Sequence, residues 1–188
     1  MFQKLKGFII LLLVYNTGCD SGNNVTYDTD SETPDIEITS PTSIDSIEQP
    51  TSRLSEKIVN YASSLAGVPY KVAGRDTTGF DCSGFIYYVF KKYDVEVPHS
   101  SRHLAELGME VDTSIAQPGD LVFFRGTSPD NPEVGHVGIV VSKPGEPLKF
   151  VHASSATSSA YVKYDSLARP NYKRRFLKVK RVLPESEQ

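Results

Sequence analysis

A chain of 188 residues, 39% hydrophobic and 23% charged, has room for one ordinary globular domain and a further segment. Its formal charge of −3 is unevenly spread: residues 1–18 carry only Lys4 and Lys6, residues 19–52 hold eight acids and no Lys or Arg, and residues 53–188 hold 18 basic and 15 acidic side chains. So small a positive excess on the last piece excludes a phosphate-tracking nucleic-acid binder, and a single apolar run excludes a polytopic membrane protein.

That run, Gly7 to Tyr15, follows the two lysines and ends in Thr17-Gly18-Cys19. It is too short to span a bilayer as a helix, and a charged start, a short apolar stretch and small residues describe an export signal. A Cys directly after those residues resembles a bacterial lipoprotein signal, with Asn16 departing from the usual Leu. The expectation is a signal peptide over residues 1–18 and an acylated Cys19, whose chains contribute about 0.8 kcal/mol per buried CH₂. Residues 20–52 contain twelve Ser or Thr, three Pro and eight acids. Such a stretch cannot bury enough apolar area to offset chain ordering, so 19–52 is expected to be a tether reaching roughly 30 Å. With Cys19 acylated, Cys82 is a lone thiol in an oxidising compartment, where its reactivity is the reason to keep it.

The folded domain is expected over 53–188. Leu54, Ile58, Ala62 and Leu65 recur at helical spacing, with Ser52 as a cap and Gly67 as a stop. Pro69 to Gly79 reads as a loop, Cys82 to Lys92 as an amphipathic helix, and Ser101 to Leu107 as a short third helix. Five β-type runs follow: Leu121–Phe124, Val137–Val141, Lys149–His152, Ala160–Tyr164 and Lys178–Leu183. Helices first and strands afterwards predict an α+β domain with the helices packed on one antiparallel sheet of five to six strands.

Within Gly79-Phe80-Asp81-Cys82-Ser83-Gly84, the thiol stands where the first N–H groups and the dipole of a helix favour a thiolate. That makes Cys82 a candidate nucleophile. A nucleophilic Cys needs a base, and the chain has four histidines. His99 and His103 are four apart, a spacing open to zinc but without the Glu of a metalloprotease helix; two polar surface residues are the plainer reading, and no metal or organic cofactor is expected. His136 and His152 lie on neighbouring apolar strands joined by the loop 142–148, which brings the imidazoles side by side at one end of the sheet. One can take the thiol proton while the other orients it.

Val68-Pro69-Tyr70, Gly79-Phe80-Asp81-Cys82-Ser83-Gly84-Phe85, Pro118-Gly119-Asp120-Leu121-Val122-Phe123-Phe124, Gly135-His136-Val137-Gly138-Ile139 and Phe150-Val151-His152-Ala153 together resemble the NlpC-type cell-wall peptidases, in the family's order and over roughly 53–183. The resemblance implies a minimal papain-like fold and hydrolysis of amide bonds in peptidoglycan stem peptides or cross-links through a thioester. It maps Cys82 onto the nucleophile, His136 onto the base, His152 onto the residue that orients it, and Tyr70 onto an oxyanion partner beside the Cys82 N–H. Asp81, Ser83 and Ser101 map onto substrate-contacting positions, although Asp81 also fits a plain helix N-cap.

The sequence departs from the family at His99, commonly Arg, and at Leu104, commonly Gln; both positions are expected near the cleft rim. The loop 142–148 looks long enough to add a cleft wall, and Arg169, Lys173, Arg174, Arg175, Lys178, Lys180 and Arg181 offer a basic face to an anionic wall or lipid, or simply a solvated edge. The implied protein is a monomeric cell-envelope enzyme held through Cys19 at a membrane, on the periplasmic side of the outer membrane, with peptidoglycan as substrate and no nucleic-acid partner. A non-catalytic wall-binding module and an acyltransferase on the same scaffold are the competing readings.

Overall fold

The computed structural model describes residues 50–128 and 131–183, with side chains from Leu54 onward. The signal peptide, Cys19 and the tether lie outside the described residues. Helix α1 (Pro50–Ser64) is followed by a two-residue hairpin, β1 (Arg75–Asp76) and β2 (Gly79–Phe80), then α2 (Cys82–Lys91) and α3 (Ser101–Leu104). Strands β3 (Met109–Val111), β4 (Leu121–Arg125), β5 (Val134–Val140), β6 (Lys149–Ala153) and β7 (Val162–Ser166), helix α4 (Pro170–Arg175) and strand β8 (Phe176–Arg181) complete it. Six strands form one antiparallel sheet in the order β3-β8-β4-β5-β6-β7. The expected α+β class and all five expected strands are present; their ends differ from expectation by at most two residues, except that β5 begins three residues earlier, at Val134.

Helix α1 starts at Pro50, so Ser52 lies inside it rather than capping it; Pro is at home in a first turn, where its missing N–H costs nothing. Helix α3 stops at Leu104, three residues short of the expected end. The small hairpin, β3 and α4 were not expected.

The continuous apolar run Leu121–Phe124 is explained by a sheet covered on both faces. Successive side chains alternate: Leu121 and Phe123 join Val137, Ile139 and Val151 against Ile58, Phe85, Ile86 and Phe90 of the helices. Val122 and Phe124 join Val140, Phe150 and Val179 under Tyr172 of α4. The motif residue Asp120 is structural. Nearly buried, its carboxylate accepts two hydrogen bonds from Arg181, from Nε at 3.0 Å and Nη2 at 3.1 Å, and one from the Gln117 N–H, tying β4 to β8.

Three sequence expectations change here. Leu104 is fully buried in the helix-side core, because α3 turns it inward beneath the sheet; it does not line a rim. The loop 142–148 leaves the ends of β5 and β6 opposite the histidines, with Ser142 six residues, or roughly 20 Å of extended chain, from His136, so it does not wall the site. It packs instead with Thr113, Leu167 and Phe176 around a surface depression of about 710 Å³. In the basic cluster, Arg169 pairs with Asp165 at 2.9 Å, Arg175 donates to the Arg125 carbonyl at 2.9 Å, and Arg181 holds Asp120. These three guanidinium groups serve the fold.

Candidate active site

Helix α2 is aimed by its first turn. Asp81 caps it: Oδ1 accepts hydrogen bonds from the Gly84 N–H at 2.7 Å and from Ser83 Oγ at 3.0 Å, and lies 3.3 Å from His99 Nε2. Gly84 lets that turn dock against the 71–80 loop, since a Cβ there would stand 2.0 Å from the Gly74 carbonyl oxygen. The cap reading of Asp81 is therefore realised. The Ser83 hydroxyl is buried and turned to Asp81 rather than outward. His99 faces Asp81 and stacks near Tyr87, with ring centroids 6.0 Å apart, instead of pairing with the exposed His103 around a metal.

Cys82 begins the helix, half-buried against the helix-side core together with Tyr70. The ladder between β5 and β6 is registered at Ile139 with Val151 and at Val140 with Phe150, and helix α2 packs against both strands. There the Val137 N–H hydrogen-bonds to the Cys82 sulfur, which brings the thiol to the residue next to His136. Ser101 opens α3, which packs on the same strand, and is half-buried.

Behind the thiol the histidines form a buried file. His136 Nε2 lies 2.7 Å from His152 Nδ1, with the rings at 86° to one another. His152 is 0% exposed, and its Nε2 lies 3.0 Å from Asp165 Oδ2 and 3.2 Å from the Tyr172 hydroxyl. Tyr172 donates to the same carboxylate oxygen at 3.0 Å, and Lys163 Nζ approaches it at 3.2 Å. Gly138 keeps β5 close: a Cβ there would meet Phe150 at 2.8 Å and the His152 Cβ at 3.2 Å. Asp165 and Tyr172 escape the sequence reading. Asp165 falls one residue beyond the expected run Ala160–Tyr164 and lies inside β7 only because the strand extends to Ser166, where a buried acid demands a partner.

Burial sets the electrostatics and acts oppositely on the two reacting groups. It pushes the Cys82 thiol up to about 11, with the Asp81 charge adding to the effect, against hydrogen bonds from the N–H groups of Val137, Ser83 and Cys82 itself. The helix N-terminus was expected to favour a thiolate; its N–H groups do act so, but burial and Asp81 outweigh them. Burial and the neighbouring His152 hold His136 well below its ordinary value. Burial also lowers His152, although Asp165 pulls it back. Tyr70 is raised by burial and by the nearness of Cys82 and Asp81, which keeps it a phenol able to donate. Among the described residues no cluster of His, Cys, Asp and Glu is arranged to hold a metal.

This arrangement sits within a sequence-wide likeness. Residues 67–181 match the NlpC/P60 family, and the chain belongs to it. The murein DD-endopeptidase MepS/murein LD-carboxypeptidase of Escherichia coli K12 is 34% identical over 134 residues, 71% of this chain and 65% of that protein. The probable peptidoglycan endopeptidase LytE of Bacillus subtilis is 39% identical over 133 residues, 70% of this chain and 35% of that one. An NlpC/P60 family protein from Bacillus cereus superposes with a TM-score of 0.61 at 28% identity, covering 69% of this chain and 40% of its own. The fold is accordingly the minimal papain-like one. The chain spans just under two thirds of the length of MepS and smaller shares of the other two.

Proposed function

We propose that the protein is a peptidoglycan hydrolase, a cysteine endopeptidase acting on amide bonds of stem peptides or their cross-links. The observation that carries this reading is the contact between His136 and His152, beside the Val137 N–H that meets the Cys82 sulfur, in a chain whose relatives bear murein and peptidoglycan endopeptidase names. The reaction begins from a neutral pair, since burial disfavours both thiolate and imidazolium. His136 takes the Cys82 proton as sulfur attacks the amide carbonyl, and the Cys82 N–H and the Tyr70 hydroxyl face the developing oxyanion. The C–N bond breaks as His136 returns that proton to the leaving amine, leaving a thioester. Water then attacks while His136 takes its proton; the C–S bond breaks, the acid product departs and the thiol is restored.

Asp81, adjacent to Cys82, and Ser101, on the helix packed against β5, are proposed to contact the stem peptide, with Ser83 supporting Asp81. Export by residues 1–18, acylation of Cys19 and the acidic tether would hold the enzyme at the membrane of the cell envelope as a monomer, within reach of the wall. Digestion of purified sacculi by the chain, followed by mass analysis of the muropeptides, tests this. New free amino and carboxyl termini are expected, and their masses identify the bond. Cleavage should disappear in Cys82→Ala, and activity surviving that change would overturn the mechanism. Acylated products would point to a transferase instead.

A further inference from the structure

The file of histidines does not end at His152. Two atoms face His152 Nε2: Asp165 Oδ2 at 3.0 Å and the Tyr172 hydroxyl oxygen at 3.2 Å. The hydroxyl proton is already directed at Asp165 Oδ2. A carboxylate has no proton to give, and a phenol that has spent its proton offers only lone pairs. Nε2 of His152 must therefore carry the hydrogen. In the neutral ring Nδ1 is then an acceptor, and its neighbour at 2.7 Å, His136 Nε2, must donate to it. The remaining nitrogen of His136, Nδ1, is left bare.

We infer that Asp165, fixed by Tyr172, is the positioning residue that sets the proton order of the whole file and leaves His136 Nδ1 as the nitrogen free to take the Cys82 proton. The inference rests on the hydrolase reading for its catalytic meaning but not for its geometry. The charged and titratable groups around Asp165 fit this role: Lys163 on its own strand, Arg169 beyond it, His152 on β6 and Tyr172 on α4, with Arg175 next to Tyr172. Burial works against ionising Asp165, but hydrogen bonds from His152, Tyr172 and Lys163 prevail and hold its carboxyl down at about 2, so it remains an acceptor across the working range. When His136 takes up the thiol proton, this charge also lies behind the new imidazolium, one ring away, where it raises the affinity for that proton.

Nitrogen-15 shifts of the imidazole rings in the full-length wild-type chain at neutral pH test the order directly. Both His136 and His152 are expected to carry their proton on Nε2, and a proton on His136 Nδ1 would overturn the inference. Asp165→Asn supplies an N–H that can face His152 Nε2 and reverse the file. Turnover should fall about a hundredfold or more with KM within about twofold, and iodoacetamide labelling of Cys82 should slow in parallel. A folded Asp165→Asn chain with wild-type turnover and labelling would overturn the inference. Should that variant not fold, the wild-type shifts decide alone. The shifts and the labelling need no peptidoglycan, so a wild-type chain with the expected proton order that leaves sacculi intact would sink the hydrolase reading while the hold of Asp165 on His136 stands.

Discussion

The two halves of the candidate site are built on opposite plans. In front, Cys82 stands on the first turn of a helix, half-buried, with every hydrogen bond to Asp81 Oδ1 coming from within 18 residues along the chain. Behind it, His136, His152, Asp165 and Tyr172 come from β5, β6, β7 and α4 and are almost wholly withdrawn from water. Burial holds a proton on the thiol and keeps one off the imidazole, so the same cause leaves both reacting groups uncharged at rest. Activation therefore belongs to the moment of attack rather than to a standing ion pair.

The sharpest way to break this contrast is to remove the rear base and leave the front intact. In His136→Ala, turnover is expected to drop about a thousandfold, and the pH profile of Cys82 alkylation should become the plain ionisation of a thiol, climbing toward the alkaline side near pH 11. In the wild-type chain the acid limb should lie below the ordinary histidine range. The base is lost only when His136 protonates, and its affinity for that proton is depressed.

A smaller effect is expected from Gly138→Ala, which leaves every reacting group in place but drives a methyl against Phe150 and His152. A stability loss of about 2 kcal/mol in urea unfolding should accompany a fall in turnover, because the strand carrying His136 is pushed from the ring beneath it. Stability lost with full turnover would show that the file tolerates play.

The mildest test is at the front. Asp81→Asn keeps an oxygen for the Gly84 N–H and removes the charge, so stability should change by less than about 0.5 kcal/mol. Since the Asp81 charge raises the thiol, its removal should move the alkylation midpoint of Cys82 to lower pH. A midpoint that stays put would mean that burial alone sets the thiol.

The front half was legible in the sequence because its residues are contiguous: a cap, a thiol and a close-packed glycine announce a helix start within four positions. The paired histidines were legible because neighbouring antiparallel strands put them at one edge. Asp165 and Tyr172 were not, since they meet His152 only through the return of β7 and the packing of α4. Helix α4 is six residues long and rich in Lys and Arg, too short to show a period, and β3 has three largely exposed residues with no alternation to read. Leu104 misled for a related reason: a family position gives no burial, and only the packing of α3 shows that Leu fills core there.

The burial of the rear file has a consequence for the traffic of hydrogen through the proposed reaction. Asp165 and Tyr172 close the far end against water, so whatever His136 accepts from the thiol has no outlet behind it. The file works as a pocket with a single mouth, and the borrowed proton leaves by the side it entered, onto the departing amine.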